Sequence, residues 1–385
     1  MNITNHFIEN YTFTNKNVII RVDWNIPYND NYEILDYFRI TSSLESINYI
    51  NNQNPKRIII ISHLGRPTNT YNKLYSWSNF IEQIKIKTNF QNLILLEDGL
   101  SEITLNKLKL NRSNIYLLEN IRFHPEETNF SKNITTKEHE IFNKLGDIFV
   151  NDAFSCMHRY HLSICGFNKN DEKAYGYLVK KELDYLQLIL NNKTDKILGI
   201  IGGCKIDDKM PLLKNLSNQI NGIYIAGGLI NSILKEKSKK QFLENIKNNK
   251  AQIYEMKDGL ASENQNNFHQ YYLSNNLPLN KYFYDIGELS LKELEYIIND
   301  YDIIFWNGPL GLIENHLFKN GSERLIEILI KSKKRIIIGG GDTAAFINSF
   351  EKLYNINFEF ISTAGGALID FISNKTLVGL EYFLS

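Results

Sequence analysis

Short β-branched and apolar runs, each followed by a stretch long enough for a helix, recur along this chain and leave few folds open to it. In the first half they are Val18–Val22, Arg57–Ile61, Leu93–Leu96, Ile115–Leu118 and Ile148–Val150. In the second they are Ile197–Ile201, Gly222–Ala226, Gln252–Tyr254, Ile303–Trp306, Arg335–Ile338 and Phe358–Ile361. Strands of this kind, separated by helical crossovers, form parallel sheets covered on both faces. A length of 385 residues exceeds what one core holds, so the spacing predicts two domains, each a parallel sheet flanked by helices. Between the two sets, Lys180 to Asn191 sets Leu183, Leu186, Leu188 and Leu190 among charges and reads as a linking helix. The boundary is expected near Phe167 to Lys180, giving a first domain over 1–170 and a second over 171–371. The tail, Leu377 to Ser385, is apolar enough to dock on something.

In a doubly wound sheet, ligands bind beyond the carboxyl ends of the strands, so the residues just after each run carry the chemistry. In the first half these segments are rich in arginine and histidine: Arg21 to Asn25, Ser62-His63-Leu64-Gly65-Arg66-Pro67, Leu118 to His124 with Arg122, and Asn151 to Arg159, joined by Arg39. Arginine's planar fork grips phosphate and carboxylate bidentately, so converging forks suit a small ligand with more than one anionic group. The competing reading pairs each arginine with a nearby carboxylate, Asp23, Glu119 or Asp152, as a structural ion pair. His63 and His124 fit core or supporting positions better than metal ligation, because no partner sits at ligand spacing.

The second half ends its runs in glycine instead: Gly202-Gly203-Cys204-Lys205, Ala226-Gly227-Gly228, Gly339-Gly340-Gly341-Asp342-Thr343 and Thr363-Ala364-Gly365-Gly366. Glycine after a strand lets backbone amides approach phosphate oxygens, and a following helix N-terminus adds a favourable dipole. No G-x-x-x-x-G-K-[ST] or G-x-G-x-x-G run occurs, which argues against a P-loop ATPase and a dinucleotide fold. Lys205 and Lys209 share a helix face if Ile206 onward is helical. Asp342 stands where a carboxylate could hold Mg²⁺ among phosphates, and Glu314, beyond Trp306 to Gly311, could accept ribose hydroxyls.

Basic chemistry here must be local, since Lys+Arg and Asp+Glu both number 43, and no bulk field draws the chain to nucleic acid or a membrane. Met1 to Tyr11 has no apolar signal core, and no run approaches membrane-spanning length, so a soluble cytoplasmic protein is expected. The three cysteines, Cys156, Cys165 and Cys204, lack metal-ligand spacing and are expected to be reduced thiols.

Taken in order, Val18 to Pro27, Ser62 to Pro67, Leu118 to Glu127, Asn151 to His161, Gly202 to Met210, Trp306 to Gly311 and Gly339 to Ala345 resemble the motifs of the phosphoglycerate kinases. The resemblance runs from about Val18 to Gly379. It implies two Rossmann-like domains around a central cleft, with the C-terminal tail, 372–385, returning to the first domain. It implies a 3-phosphoglycerate or 1,3-bisphosphoglycerate site at Asp23, Trp24, Asn25, Arg39, His63, Leu64, Gly65, Arg66, Arg122 and Arg159. It also implies ATP or ADP with Mg²⁺ at Lys209, Glu314, Gly340, Gly341, Asp342 and Thr343, the metal on Asp342. Arg39, Lys205, Lys209, Gly365 and Gly366 would surround the moving phosphoryl group in a monomeric, hinge-closing enzyme. Three departures stand out: Ala364 where the family has a third glycine, Cys204 where it has a small residue, and Ala226-Gly227-Gly228 where three glycines are more common. An alanine at 364 is tolerated unless the backbone there needs φ > 0. The alternatives are a two-lobed binding protein for phosphorylated metabolites, which leaves Lys205, Lys209 and Asp342 without a purpose, and an inactive paralogue.

Overall fold

A computed structural model describes residues 3–110, 115–169, 172–204, 206–273, 277–278, 280–354 and 358–384. The chain divides into two compact units, one holding residues up to Leu183 together with Thr376 onward, the other running from Asp184 to Lys375.

The first unit is built on a six-stranded sheet: β1 (Asn17–Val22), β2 (Arg57–Ile61), β3 (Ile94–Leu96), β4 (Ile115–Leu118), β5 (Ile148–Asp152) and β6 (Lys173–Tyr175). Its order is β3-β4-β2-β1-β5-β6, and every pairing is parallel. The isoleucine runs make this possible because both sheet faces are covered: Ile58 to Ile61 are all fully buried. From β1 the chain first builds outward through β2 and then returns to add β5 on the other side. The strand order therefore reverses at β1, which opens a crevice beyond the ends of β1 and β5. The last residues return to this unit. Gly379 N–H donates to the Met157 carbonyl at 2.8 Å, the Lys173 ammonium to the Tyr382 carbonyl at 3.0 Å, and the rings of Tyr175 and Phe383 stack at 4.3 Å.

The second unit repeats the plan with β7 (Ile197–Ile201), β8 (Gly222–Ile225), β9 (Gln252–Glu255), β13 (Ile303–Asn307), β14 (Arg335–Gly339) and β15 (Phe360–Ile361). The order β15-β14-β13-β7-β8-β9 puts the reversal between β7 and β13. Inserted between β9 and β13 is a three-stranded antiparallel sheet of β10 (Asp258–Ser262), β11 (His269–Tyr272) and β12 (Tyr282–Ile286), ordered β11-β10-β12. The linking helix is longer than its leucine pattern suggests, covering Tyr177–Asn191. Its first turn is capped by Asp152, whose Oδ1 accepts the Leu178 and Val179 N–H groups at 2.9 and 3.3 Å.

Candidate active site

Beyond β1 and β2, in the first unit, the sequence-predicted arginines meet a buried polar cluster. Asp23 is its hub. Arg39, from the short helix Phe38–Ser42, donates to Asp23 Oδ2, and the Ser155 hydroxyl donates to the same oxygen. The Asn25 N–H donates to Asp23 Oδ1 at 3.2 Å, and Asn25 Oδ1 in turn accepts the Gly65 N–H at 2.8 Å. Burial by itself would raise the Asp23 carboxyl, but Arg39, the Ser155 hydroxyl and Arg21 together hold it well below the ordinary carboxylate range.

His63 is held from the other side. Arg21 NH2 lies 3.1 Å from His63 Nδ1, and since a guanidinium only donates, Nδ1 must accept and the proton sits on Nε2. Burial, with Arg21, Arg122 and Arg39 close by, pushes the imidazole well below its usual range, which agrees with a neutral ring. Arg21 Nε donates to Ser163 Oγ at 2.8 Å, and that hydroxyl donates to Glu127 at 2.8 Å, so the charge of Arg21 is answered inside the unit. Asp23, His63 and Cys156 offer ligand atoms within 4.8 Å of one another. They make a poor cation site, because Arg21 and Arg39 already occupy their acceptors and burial pushes the Cys156 thiol up.

The remaining predicted residues fall into two groups. Arg122 is buried and donates to the Gly65 carbonyl at 2.6 Å, Arg159 is half-buried, and Arg66 is exposed. Trp24 and Leu64, by contrast, turn their side chains into the core, Trp24 against Trp77 and bonded through Nε1 to Ser43 Oγ at 2.9 Å. Only the backbone of these two is available to a ligand. The ion-pair alternative survives for Asp23 alone. Glu119 accepts from Ser76 Oγ, Trp77 N–H and Asn120 N–H, and Asp152 caps the linking helix, so neither neutralises an arginine. His124 is structural, its Nε2 accepting the Leu100 N–H at 2.9 Å and its Nδ1 facing Glu138 at 2.8 Å.

In the second unit, the reversal point between β7 and β13 opens into a cavity of about 520 Å³. Lys209, Asn307, Gly308, Gly340, Gly341, Thr343, Gly365 and Gly366 line it, with Asp207 and Asp370 among its carboxylates. Its floor requires glycine: a Cβ on Gly308 would sit 2.3 Å from the Gly202 carbonyl oxygen, and Gly340 has φ +97°. The Gly308 N–H donates to Thr343 Oγ1 at 2.9 Å, tying β13's end to the helix Gly341–Tyr354. Gly365 is different, since a Cβ there would meet no atom within 4 Å and would project into open space. Ala364 does not have a positive φ, so the alanine carries no backbone strain.

Lys209 lies in the helix Ile206–Gln219 and donates to Asn307 Oδ1. Asn307 is the residue that sequence reasoning overlooks. It is 1% exposed, and its Nδ2 has no hydrogen-bond partner among the described residues, an orphan donor on the cavity wall. Its position at the end of β13, before Gly308, was the available signal. Lys205 and the Asp342 side chain lie outside the described residues; the Asp342 backbone is in the first turn of the helix Gly341–Tyr354. Glu314 is exposed and lines a separate cavity with Gln265, Asn266 and Leu312, while Gly203, Cys204, Gly228, Gly311 and Leu312 line another of about 380 Å³.

Two doubly wound units, one ending its strands in partnered arginines and the other in a glycine-floored cavity with a lysine, define an α/β protein whose strand ends in each unit suit anionic ligands. The phosphoglycerate kinase family model matches residues 8–375. The chain is 33% identical over 386 residues to a phosphoglycerate kinase of Coprothermobacter proteolyticus, covering 95% of each, and 32% identical to that of Plasmodium falciparum, again with 95% of each covered. The solved phosphoglycerate kinase of Pyrococcus horikoshii superposes with a TM-score of 0.80 at 25% identity over 98% of both chains. The chain belongs to the phosphoglycerate kinase family.

Proposed function

We infer that this chain transfers a phosphoryl group reversibly between 1,3-bisphosphoglycerate and ADP, giving 3-phosphoglycerate and ATP. The observation that carries the reading is the cavity at the second unit's reversal point, where Lys209, the orphan Asn307 amide and the glycine-lined helix starts face one space. Phosphoryl transfer passes through a loose transition state, so the protein positions and neutralises more than it bonds. Lys209, Asn307, Gly340, Gly341 and Thr343 take the nucleotide phosphates. Glu314 takes the ribose, and the space between Gly228 and Leu312 takes the base. Gly365 and Gly366 leave room for the moving group, and Lys205 would help neutralise its charge.

Asp23, Asn25, Arg39, His63, Arg66, Arg122 and Arg159 hold the phosphoglycerate, with backbone groups of Trp24, Leu64 and Gly65. A neutral His63 with its proton on Nε2 donates to the substrate and does not shuttle a proton. None is needed, because the acceptor carboxylate is already ionised. Asp342 would hold Mg²⁺, and the oxygen-rich setting of Asp207, Asp370 and nucleotide phosphates fits that hard cation. When bound, Mg²⁺ neutralises phosphate charge. In-line transfer requires donor and acceptor to meet with water excluded. No helix among the described residues is long and apolar enough to cross a membrane; the working form is proposed to be a monomer in the cytoplasm. The test is ATP-dependent phosphorylation of 3-phosphoglycerate in a coupled assay. Turnover is expected, and its absence with both substrates saturating would overturn the reading in favour of a binding protein or inactive paralogue.

A further inference from the structure

Asp23 and Ser155 leave neighbouring strands at the first unit's reversal point. Asp23 follows β1, Ser155 lies in the turn Phe154–Cys156 after β5, and the strands run in register with Val22 beside Asp152. Both Ser155 and Arg39 donate to one oxygen, Asp23 Oδ2, while the other oxygen, 3.7 Å from His63 Nδ1, receives from the described residues the Asn25 N–H alone, at 3.2 Å. Without Ser155 the carboxylate would be held by the Asn25 N–H at 3.2 Å and by Arg39 itself, and could swing about its last bond together with the arginine. Arg39 is a long side chain, 24% exposed and anchored at its tip by this carboxylate, so a swinging Asp23 would release it to many rotamers.

We propose that Ser155 is a positioning residue for the phosphoglycerate, one whose hydroxyl fixes the Asp23 carboxylate and thereby presents Arg39 to the anion. This rests on the phosphoglycerate reading of the same basin. The role needs no contact between Ser155 and substrate. It is a pre-ordering of the arginine, which lowers the entropy that binding would otherwise cost. The groups facing Asp23 are Arg39, Arg21, His63, Ser155 and Cys156, and of these Ser155 is the neutral side chain that donates a hydrogen bond to the carboxylate, so its removal leaves the charge balance intact.

The experiment is calorimetric titration of 3-phosphoglycerate, without nucleotide, into the native protein, Ser155→Ala, Arg39→Ala and the double variant. Ser155→Ala should weaken binding about tenfold, the scale of one hydrogen bond to a charged group. In the Arg39→Ala background the same change should cost less than about twofold, because the arginine it orders is gone. The acid limb of binding should also move to higher pH in Ser155→Ala, since Asp23 has lost a donor that favours its charged form. Native affinity in Ser155→Ala, losses that multiply in the double variant, or an unmoved acid limb would each overturn the proposal. Should Ser155→Ala fail to fold, Ser155→Cys keeps the size with a weaker donor and should give an intermediate loss; native affinity in that variant counts against the role. Failure of the native protein to bind 3-phosphoglycerate at all would overturn the functional reading and this inference together, whereas a null result confined to the variants overturns the inference alone.

Discussion

The two strand-end regions solve the same problem, holding an anion, with opposite strategies. In the first unit several of the charged groups are sunk into the fold and already engaged, with Arg66 left exposed. Arg21 is tied to Ser163 and His63, Arg39 to Asp23, and Arg122 to the Gly65 carbonyl. In the second unit the floor is backbone, the central lysine leans on a neutral amide, and a buried donor on Asn307 has no partner. The first region is built before its ligand arrives, and its network is part of the core. The second keeps donors unspent for phosphate oxygens. The difference implies that substitutions of the charged side chains in the first region report on folding and binding together, whereas in the second region Lys209 and Gly365 report on function and glycines such as Gly308 and Gly340 serve the fold as well.

The sharpest test is Lys209→Ala. It removes the cavity's described ammonium without opening a core, so turnover should fall about a thousandfold while 3-phosphoglycerate affinity and melting temperature stay near native. Steady-state kinetics beside calorimetry checks this. Turnover within tenfold of native would break the assignment, and a matching loss of phosphoglycerate affinity would break the division between the regions.

Next comes Asp23→Ala in the first region. It strips the counter-charge from a cluster holding Arg21, Arg39 and His63, and Asp23 is only 6% exposed. Breaking one side of a buried charged network typically costs about 3–5 kcal/mol, so urea unfolding should show a loss of that order. A loss below about 1 kcal/mol would mean that the cluster is a surface feature and the contrast is overstated. The pH dependence has the same origin. Asp23 has its carboxyl depressed in the fold, so the stability it supplies is present above the ordinary carboxylate range and drains away as pH falls through the folded value.

How much of this was readable from the residues follows from which forces decide each feature. The central strands of the parallel sheets are apolar on both faces, and runs such as Ile58 to Ile61 announce themselves; β6 escapes because its buried Lys173 looks like surface, its ammonium satisfied by a carbonyl of the distant C-terminal tail. The antiparallel insert escapes because Asp258, Gly259, His269, Gln270 and Asp285 interrupt any apolar run along its strands. Asp258-Gly259-Leu260 is secured by Asp258 accepting from Ser290, a tertiary contact with no local pattern. At the site, glycines after strands are legible because a close approach admits nothing else. Trp24 sits inside a site motif yet serves the core, and Glu119 and Asp152 look like arginine partners yet cap backbone amides. Side-chain direction is fixed by packing, which no single segment contains. Ala364 is the mirror case: an apparent defect at a glycine position vanishes because the backbone there keeps a negative φ.

Gly365 gives the smallest of these effects and the finest discrimination. Most glycines in this unit are required by the protein itself. Gly308 would collide with Gly202, and Gly340 has a positive φ, so alanine at either should destabilise the fold before any ligand is considered. At Gly365 neither reason applies, because its φ is −102° and a Cβ would find nothing within 4 Å. A glycine facing empty space at the start of the helix Gly366–Asn374 is explained by what must come close to it, and a methyl group there would occupy volume the phosphates need. Gly365→Ala should therefore keep its melting temperature within about 2 °C, no more than the shift that 1 kcal/mol brings in a domain of this size, while ADP affinity falls about tenfold. Thermal unfolding with and without ADP measures both at once. A variant that loses stability but binds ADP normally would show that Gly365 serves the fold, and would erase the distinction between a region that spends its donors on itself and one that reserves space for its ligand.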